Sequence, residues 1–235
     1  MEETWMDTYT GQRYDVFKMM QYIDSINIVD IAHALSMMCR YNGHCNRFFS
    51  VAQHSMIAAN LVAMEHPTNI KVQFATLLHD ASEAYIADII RPIKPRIQGY
   101  KELEKCVSDA VYCRFGIHEA VPAGPTMVGI NYGLTEEDEK IIKWADDTCL
   151  ATECVSLMAS QGKGYSLQES ADDRIKPAIE SEMTPDMAEV AFKSQADKYI
   201  ALMNGTERQF TEITEDNKYA LEEDVRGKEY ELDQR

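Results

Sequence analysis

The sequence holds no C-x-x-C pair, although six cysteines (Cys39, Cys45, Cys106, Cys113, Cys149 and Cys154) are spread along its 235 residues. That spacing excludes a zinc ribbon and a thioredoxin-type redox motif, and each cysteine is expected to sit as a reduced, buried small hydrophobe, which suits a reducing cytoplasm. No apolar run is long enough to cross a bilayer, and mean hydropathy is −0.36, so no transmembrane span and no membrane partner is expected. The opening Met1-Glu2-Glu3-Thr4 is acidic and polar, unlike a secretory signal. Positive charge is scarce as well: 23 Lys and Arg face 39 Asp and Glu, a formal net charge of −16. Such a surface argues against binding a nucleic-acid polymer, whose affinity comes from clustered Lys and Arg. A small anion would need a local metal or Arg to reverse the sign of the field.

Glycine (11) and proline (7) are few, and period-two alternation is rare. The dominant pattern is apolar residues at three- and four-residue steps, so the expected fold is all-α, built on one medium domain. Ser50-Val51-Ala52-Gln53 has the form of a capping box and opens a helix that aligns Val51, His54, Ala58 and Leu61 before Pro67 stops it. The next helix aligns Phe74, Leu77, Leu78 and Ala81 and runs through His79-Asp80; Pro92 and Pro95 then enforce a loop. A third spans about Tyr100 to Phe115, with Gly116 as its C-cap. The Gly- and Pro-rich stretch from Pro122 to Gly133 reads as irregular. Thr135 caps a long helix towards Ser160, and Thr184-Pro185 starts another that ends near Gly205. Residues 1–205 form the expected domain. Residues 206–235, with ten Asp or Glu and five Lys or Arg, read as an acidic tail, solvated or loosely docked.

Drawn on helical wheels, His54, the pair His79-Asp80, and an Asp at 146 or 147 fall on or beside apolar faces. Buried ionisable groups are costly unless they are paired or share a metal, so ionisable groups on separate helices call for a common partner. Two imidazoles and two carboxylates suit one divalent transition ion (Zn, Co, Mn or Fe) with positions left open for water and substrate. Ile141, Ile142, Ala145 and Cys149 mark the buried side of their helix. Asp146 borders that side and is the expected ligand, whereas Asp147 falls opposite, beside Lys143, as a surface partner.

The text around these residues is Phe49-Ser50-Val51-Ala52-Gln53-His54, Leu77-Leu78-His79-Asp80-Ala81-Ser82-Glu83-Ala84-Tyr85 and Lys143-Trp144-Ala145-Asp146. It resembles the H…HD…D pattern of HD-domain metal-dependent phosphohydrolases, most of all the bacterial and phage 5′-deoxynucleotidase-like group. Thr8-Tyr9-Thr10-Gly11, Asp30-Ile31-Ala32-His33-Ala34-Leu35-Ser36 and Cys39-Arg40-Tyr41-Asn42-Gly43-His44 are similar to the N-terminal segment of that group, and the likeness covers about residues 5–160.

The resemblance implies an HD-domain helical bundle with a metal in its core, ligated by His54, His79, Asp80 and Asp146. It implies catalytic roles for Glu83 and Asp88, at the attacking water and the departing oxygen. Glu83, one helical turn beyond His79, is also placed by its spacing to face the same site. Arg40 would orient phosphate, Tyr41 would stack on base or sugar, and Lys94, Asn131 and Tyr132 would meet the substrate. Structural hydrogen bonding is expected for His33 and His44, and no role for His66 and His118. The implied reaction converts deoxynucleoside 5′-monophosphates to deoxynucleoside and phosphate. Its alternatives are a dNTP triphosphohydrolase, perhaps for dATP, that releases triphosphate, and a catalytically inactive nucleotide-binding regulator. A nucleotide is thus the expected partner, and related proteins assemble, so a homo-oligomer would fit.

Overall fold

Ser50 opens the helix around which the others pack. In the computed structural model, which describes residues 5–123, 128–163, 175 and 179–205, its Oγ accepts from the Gln53 N–H and Gln53 Oε1 accepts from the Ser50 N–H, both at 3.1 Å. The capping box is therefore complete, and the helix it starts, Val51–Glu65, is buried on almost every face. A helix that is apolar all round belongs in the middle of a bundle. The one expected stripe understates this burial.

The described chain is mostly helical. In order, β1 (Trp5–Asp7) and β2 (Arg13–Asp15) form an antiparallel hairpin, followed by α1 (Ile28–Met37), α2 (Val51–Glu65), α3 (Ile70–Leu77), the one-turn α4 (Glu83–Ile86) and α5 (Tyr100–Arg114). Then come β3 (Glu119–Pro122), β4 (Val128–Asn131), α6 (Glu136–Leu157) and α7 (Pro185–Met203). Phe49, Ile57, Leu61 and Val62 from the α2 region meet Val72, Ala145, Cys149 and Leu157 in one buried cluster, which brings α2, α3 and α6 together. The described residues up to Ile200 fall in one compact unit; the expected acidic tail, 206–235, lies outside the described residues.

Two expectations about elements and one about cysteine burial are corrected. The stretch from Pro122 to Gly133 is not wholly irregular, since β3 and β4 pair antiparallel with Glu119 opposite Asn131 and Pro122 opposite Val128. The helix expected to run through His79 stops at Leu77. The Thr76 carbonyl, which a continuing helix would give to the Asp80 N–H, is taken by His79 Nδ1 at 2.7 Å, a side chain competing with the backbone. Tighter bonds follow, Ala81 N–H to Leu78 O and Glu83 N–H to Asp80 O, both 3.0 Å. All six cysteines are free thiols as expected, but Cys149 and Cys154 alone are buried and the other four are half-buried.

Gly133 marks a place where backbone approaches backbone. A Cβ there would lie 2.0 Å from the Ile117 carbonyl oxygen, and the adjoining Gly133 N–H donates to His118 Nδ1 at 3.2 Å. Because the obstacle is main chain, it cannot swing aside. Gly133→Ala is expected to lower stability by at least ~1–3 kcal/mol, the cost of forced overpacking, read as a drop in urea midpoint. An unchanged midpoint would show that this approach is not needed.

Candidate metal centre

Each chemical side chain reaches the site for a local reason. His54 is the fourth residue of the α2 helix and is wholly inaccessible, 0% exposed, because α2 is central. His79 and Asp80 project from the turn that ends α3. Asp146 comes from α6, whose N-terminus is fixed by a second capping box: Thr135 Oγ1 accepts from the Asp138 N–H and Asp138 Oδ2 accepts from the Thr135 N–H. Arg40 follows α1 in a short turn where Tyr41 and Asn42 both adopt positive φ, 59° and 51°.

His54, His79 and Asp146 form a cluster able to hold a metal ion. His54 Nε2 lies 3.3 Å from His79 Nε2 and 3.3 Å from Asp146 Oδ1, with His79 Nε2 3.9 Å from that oxygen. Asp80 Oδ2 borders the same space, 3.4 Å from His79 Nε2 and 3.7 Å from His54 Nε2. Metal bonds of roughly 2.0–2.2 Å in a tetrahedron put neighbouring donors roughly 3.4 Å apart, so these spacings are close enough for the group to hold one ion.

The tautomers point the same way. His79 Nδ1 faces the Thr76 carbonyl, which only accepts, so the proton is on Nδ1. His54 Nδ1 faces the Glu153 carboxylate at 2.6 Å and is a donor too. When both rings are neutral, two Nε2 lone pairs therefore meet head to head, an arrangement that needs a cation between them. Without a metal, a proton does this work. Burial and the Arg40 guanidinium push the His54 pKa down, but Glu153 and Asp146 outweigh them and carry it up to about 9. Burial alone would raise Asp146; its bond to His54 and the field of both imidazoles hold it far below the carboxylate range.

A consequence follows for metal uptake. With His54 held up to about 9, a metal must expel a proton at any lower pH. Apparent affinity should thus rise about tenfold per pH unit towards pH 9 and flatten above it. Calorimetric titration with Mn²⁺ in buffers of different ionisation enthalpy should show one proton released at pH 7. A pH-independent affinity would rule out this protonated ground state.

Behind the cluster stands Glu153, which the sequence reading missed. It is 0% exposed, and its carboxylate accepts from His54 Nδ1 (2.6 Å), Arg40 Nε (2.8 Å) and Tyr41 Oη (2.8 Å). Burial would push its pKa up, but Arg40 and His54 hold it down to about 2. A single carboxylate thereby sets the His54 tautomer and anchors Arg40, the part that outer partners of metal ligands play. A buried Glu on α6 could have been flagged from its phase, since position 153 shares a helix face with Cys149, Leu150 and Leu157, three or four residues away.

The cluster opens on a pocket of about 590 Å³ lined by Arg40, Tyr41, Asp80, Glu83, Asp88 and Asp146, with Ile89, Ile90, Leu150 and Met158 as apolar wall. Arg40 is 9% exposed, not an ordinary surface charge, and its Nη1 lies 3.7 Å from Asp80. Glu83 heads α4, reaching the pocket from there rather than from the helix of His79, and its Oε2 is buried without a hydrogen-bond partner among the described residues. Burial first, then the Asp80 and Asp88 carboxylates, push its pKa up to about 9 against Lys94 and Arg40. Burial and Asp80 likewise raise Asp88, opposed by Arg40 and Lys94.

Other expected residues fall elsewhere. Lys94 lines the pocket, but its Nζ is held between Glu83 (3.2 Å) and Glu104 (2.8 Å). Asn131 and Tyr132 are not among the pocket-lining residues. Strand pairing sets Asn131 against Glu119 (3.2 Å), and Tyr132 packs edge-on against His118 and bonds Lys105. His33 is structural as expected, stacked on Tyr9 and bonded to Glu189 at 2.9 Å. His44 is instead exposed at the pocket, and His118 is a buried packing residue between Tyr112 and Tyr132. Asp147 meets Lys143, as expected, and also Arg91, whose Nη2 lies 2.9 Å from Asp146 Oδ2 and 3.1 Å from Asp147 Oδ1. Asp147 does not itself line the pocket, but it shares Arg91, which does, with Asp146. No helix among the described residues is long and apolar enough to cross a membrane.

No family model matches the chain. It is similar to the uncharacterized protein YfdR of Escherichia coli K12, 34% identical over 166 residues, which cover 71% of the chain and 79% of that protein. An uncharacterized protein of Rhodobacter capsulatus is 36% identical over 127 residues, 52% of the chain and 64% of that protein.

Proposed function

The chain belongs to the family of Escherichia coli YfdR, and from the site described above we propose that it is an HD-domain-type, metal-dependent phosphohydrolase that removes the 5′ phosphate from deoxynucleoside monophosphates. The observation that carries this reading is the meeting of two imidazole Nε2 atoms and Asp146 beside the pocket of Arg40, Glu83 and Asp88. A divalent cation there would supply a Lewis acid for the phosphoryl oxygens and acidify a water as nucleophile.

The chain's own residues do the rest. Arg40, tethered by Glu153 through Nε, orients the phosphate and offsets charge growing on its oxygens, a task for a planar guanidinium. Asp88 lines the pocket with its pKa raised, which makes it a better acceptor for the proton of the attacking water. Glu83, with its pKa near 9, keeps its proton at neutral pH and can give it to the departing 5′ oxygen. Each pocket cation is already countered: Arg40 by Glu153, Lys94 by Glu104, Arg91 by Asp146 and Asp147. Little positive charge is left over for β- and γ-phosphates, which favours monophosphates over triphosphates.

The test is incubation of Mn²⁺- or Co²⁺-loaded protein with each dNMP and dNTP, followed by chromatography of the products. Inorganic phosphate from dNMPs is expected. Inorganic triphosphate from dNTPs would replace this reading by the triphosphohydrolase, and no product from any nucleotide would leave a nucleotide-binding regulator. Glu83→Gln should lose about 10²–10⁴-fold in kcat while retaining its metal, because the amide cannot deliver a proton.

A further inference from the structure

Between α4 and the turn at Lys94–Arg96 runs a segment without helix or strand, Ala87 to Ile93, which brings Asp88 to the pocket. It leaves α4 through Ala87 at a φ of 67°, a left-handed conformation that an alanine does not choose unaided. The segment therefore depends on its ties. At one end Lys94 bonds Glu83 and Glu104, and in the middle Arg91 spans to α6, where one Nη2 serves Asp146 Oδ2 and Asp147 Oδ1.

The Asp146 contact divides that carboxylate in two. Oδ1 faces the imidazoles, 3.3 Å from His54 Nε2, and Oδ2 faces Arg91 at 2.9 Å. Arg91 thus holds the outer oxygen outward and the inner one at the cluster, and it fastens the Asp88 segment to the same helix. We infer that Arg91 is a positioning residue that couples the grip of Asp146 on a cation to the placement of Asp88; this rests on reading the cluster as a metal centre, and does not require that the reaction be phosphate hydrolysis.

An ordinary surface ion pair would do neither. The Arg91 side chain is 52% exposed, and pairs so exposed contribute little to folding, so global stability is the control rather than the readout. The probe is Co²⁺ alone, added to the full chain. Affinity is read by calorimetric titration, ligand geometry by the visible d–d spectrum, and the segment by hydrogen exchange over residues 87–93. Arg91→Ala should bind Co²⁺ about 10–100-fold more weakly, the usual cost of losing an outer partner of a metal ligand, with an altered d–d spectrum and an unchanged metal-free Tm. In that variant residues 87–93 should exchange faster, and added Co²⁺ should no longer slow them as it does in the wild type. Arg91→Lys should recover part of the affinity. Wild-type affinity and spectrum in Arg91→Ala, or exchange of the segment indifferent to both the substitution and Co²⁺, would overturn the coupling. Failure of the wild type to bind Co²⁺ would overturn the metal centre and the coupling together, whereas Co²⁺ binding without nucleotide turnover would remove only the phosphohydrolase reading.

Discussion

Asp146→Ala and His79→Ala are each expected to leave the protein without bound metal and without turnover, whereas Asp147→Ala keeps the metal. The two carboxylates are adjacent in sequence, yet Asp146 Oδ1 is 3.3 Å from His54 Nε2 while Asp147 bonds Lys143 and Arg91. Removing a direct donor should cost more than the ~10–100-fold that an outer partner costs. The loss of the His79 ring also removes its 2.7 Å bond to the Thr76 carbonyl, leaving that oxygen the longer 3.4 Å bond from the residue-79 backbone N–H. Elemental analysis after dialysis against Mn²⁺ or Co²⁺ checks the result. Metal retained by Asp146→Ala and lost by Asp147→Ala would reverse the assignment of the ligand.

The second large effect concerns stability. Glu153→Ala strips Arg40, His54 and Tyr41 of one shared acceptor at once and leaves a guanidinium only 9% exposed without its closest counter-charge. Breaking a buried pair from one side costs about 3–5 kcal/mol, because the remaining charge stays desolvated. A matching fall in urea-unfolding free energy is expected. Glu153→Gln should fall less, since an amide oxygen still accepts one of the bonds, and the Glu153→Ala, Arg40→Met double variant should recover part of the loss by removing the stranded charge. If Glu153→Ala unfolds at the wild-type urea concentration, the carboxylate is not what holds Arg40 in place.

Much of this architecture is written locally. The capping boxes at Ser50 and Thr135, the apolar period of α5 and α6, and the Thr184-Pro185 start of α7 are short-range signals, and each element begins where those residues stand. The same helical phase separates Asp146 from Asp147. Local reading failed at His79, where a side chain captures the carbonyl that would have extended the helix. It failed again at Asn131 and Tyr132, because pairing of β3 with β4 turns them to Glu119 and His118 instead of the pocket.

By itself, then, the sequence determined the helical elements, their caps, and which side chains had the chemistry to meet at a cation. Only the tertiary structure decided that Glu153 would stand behind His54 and Arg40, 99 and 113 positions away along the chain, and that Arg91 would reach across 55 positions to the outer oxygen of Asp146. Periods and caps act over one or two helical turns and leave a trace in neighbouring residues. Phase can mark Glu153 as buried, but which distant charges it meets leaves no such trace, because what selects them is the burial and distance that exist only once the helices have packed.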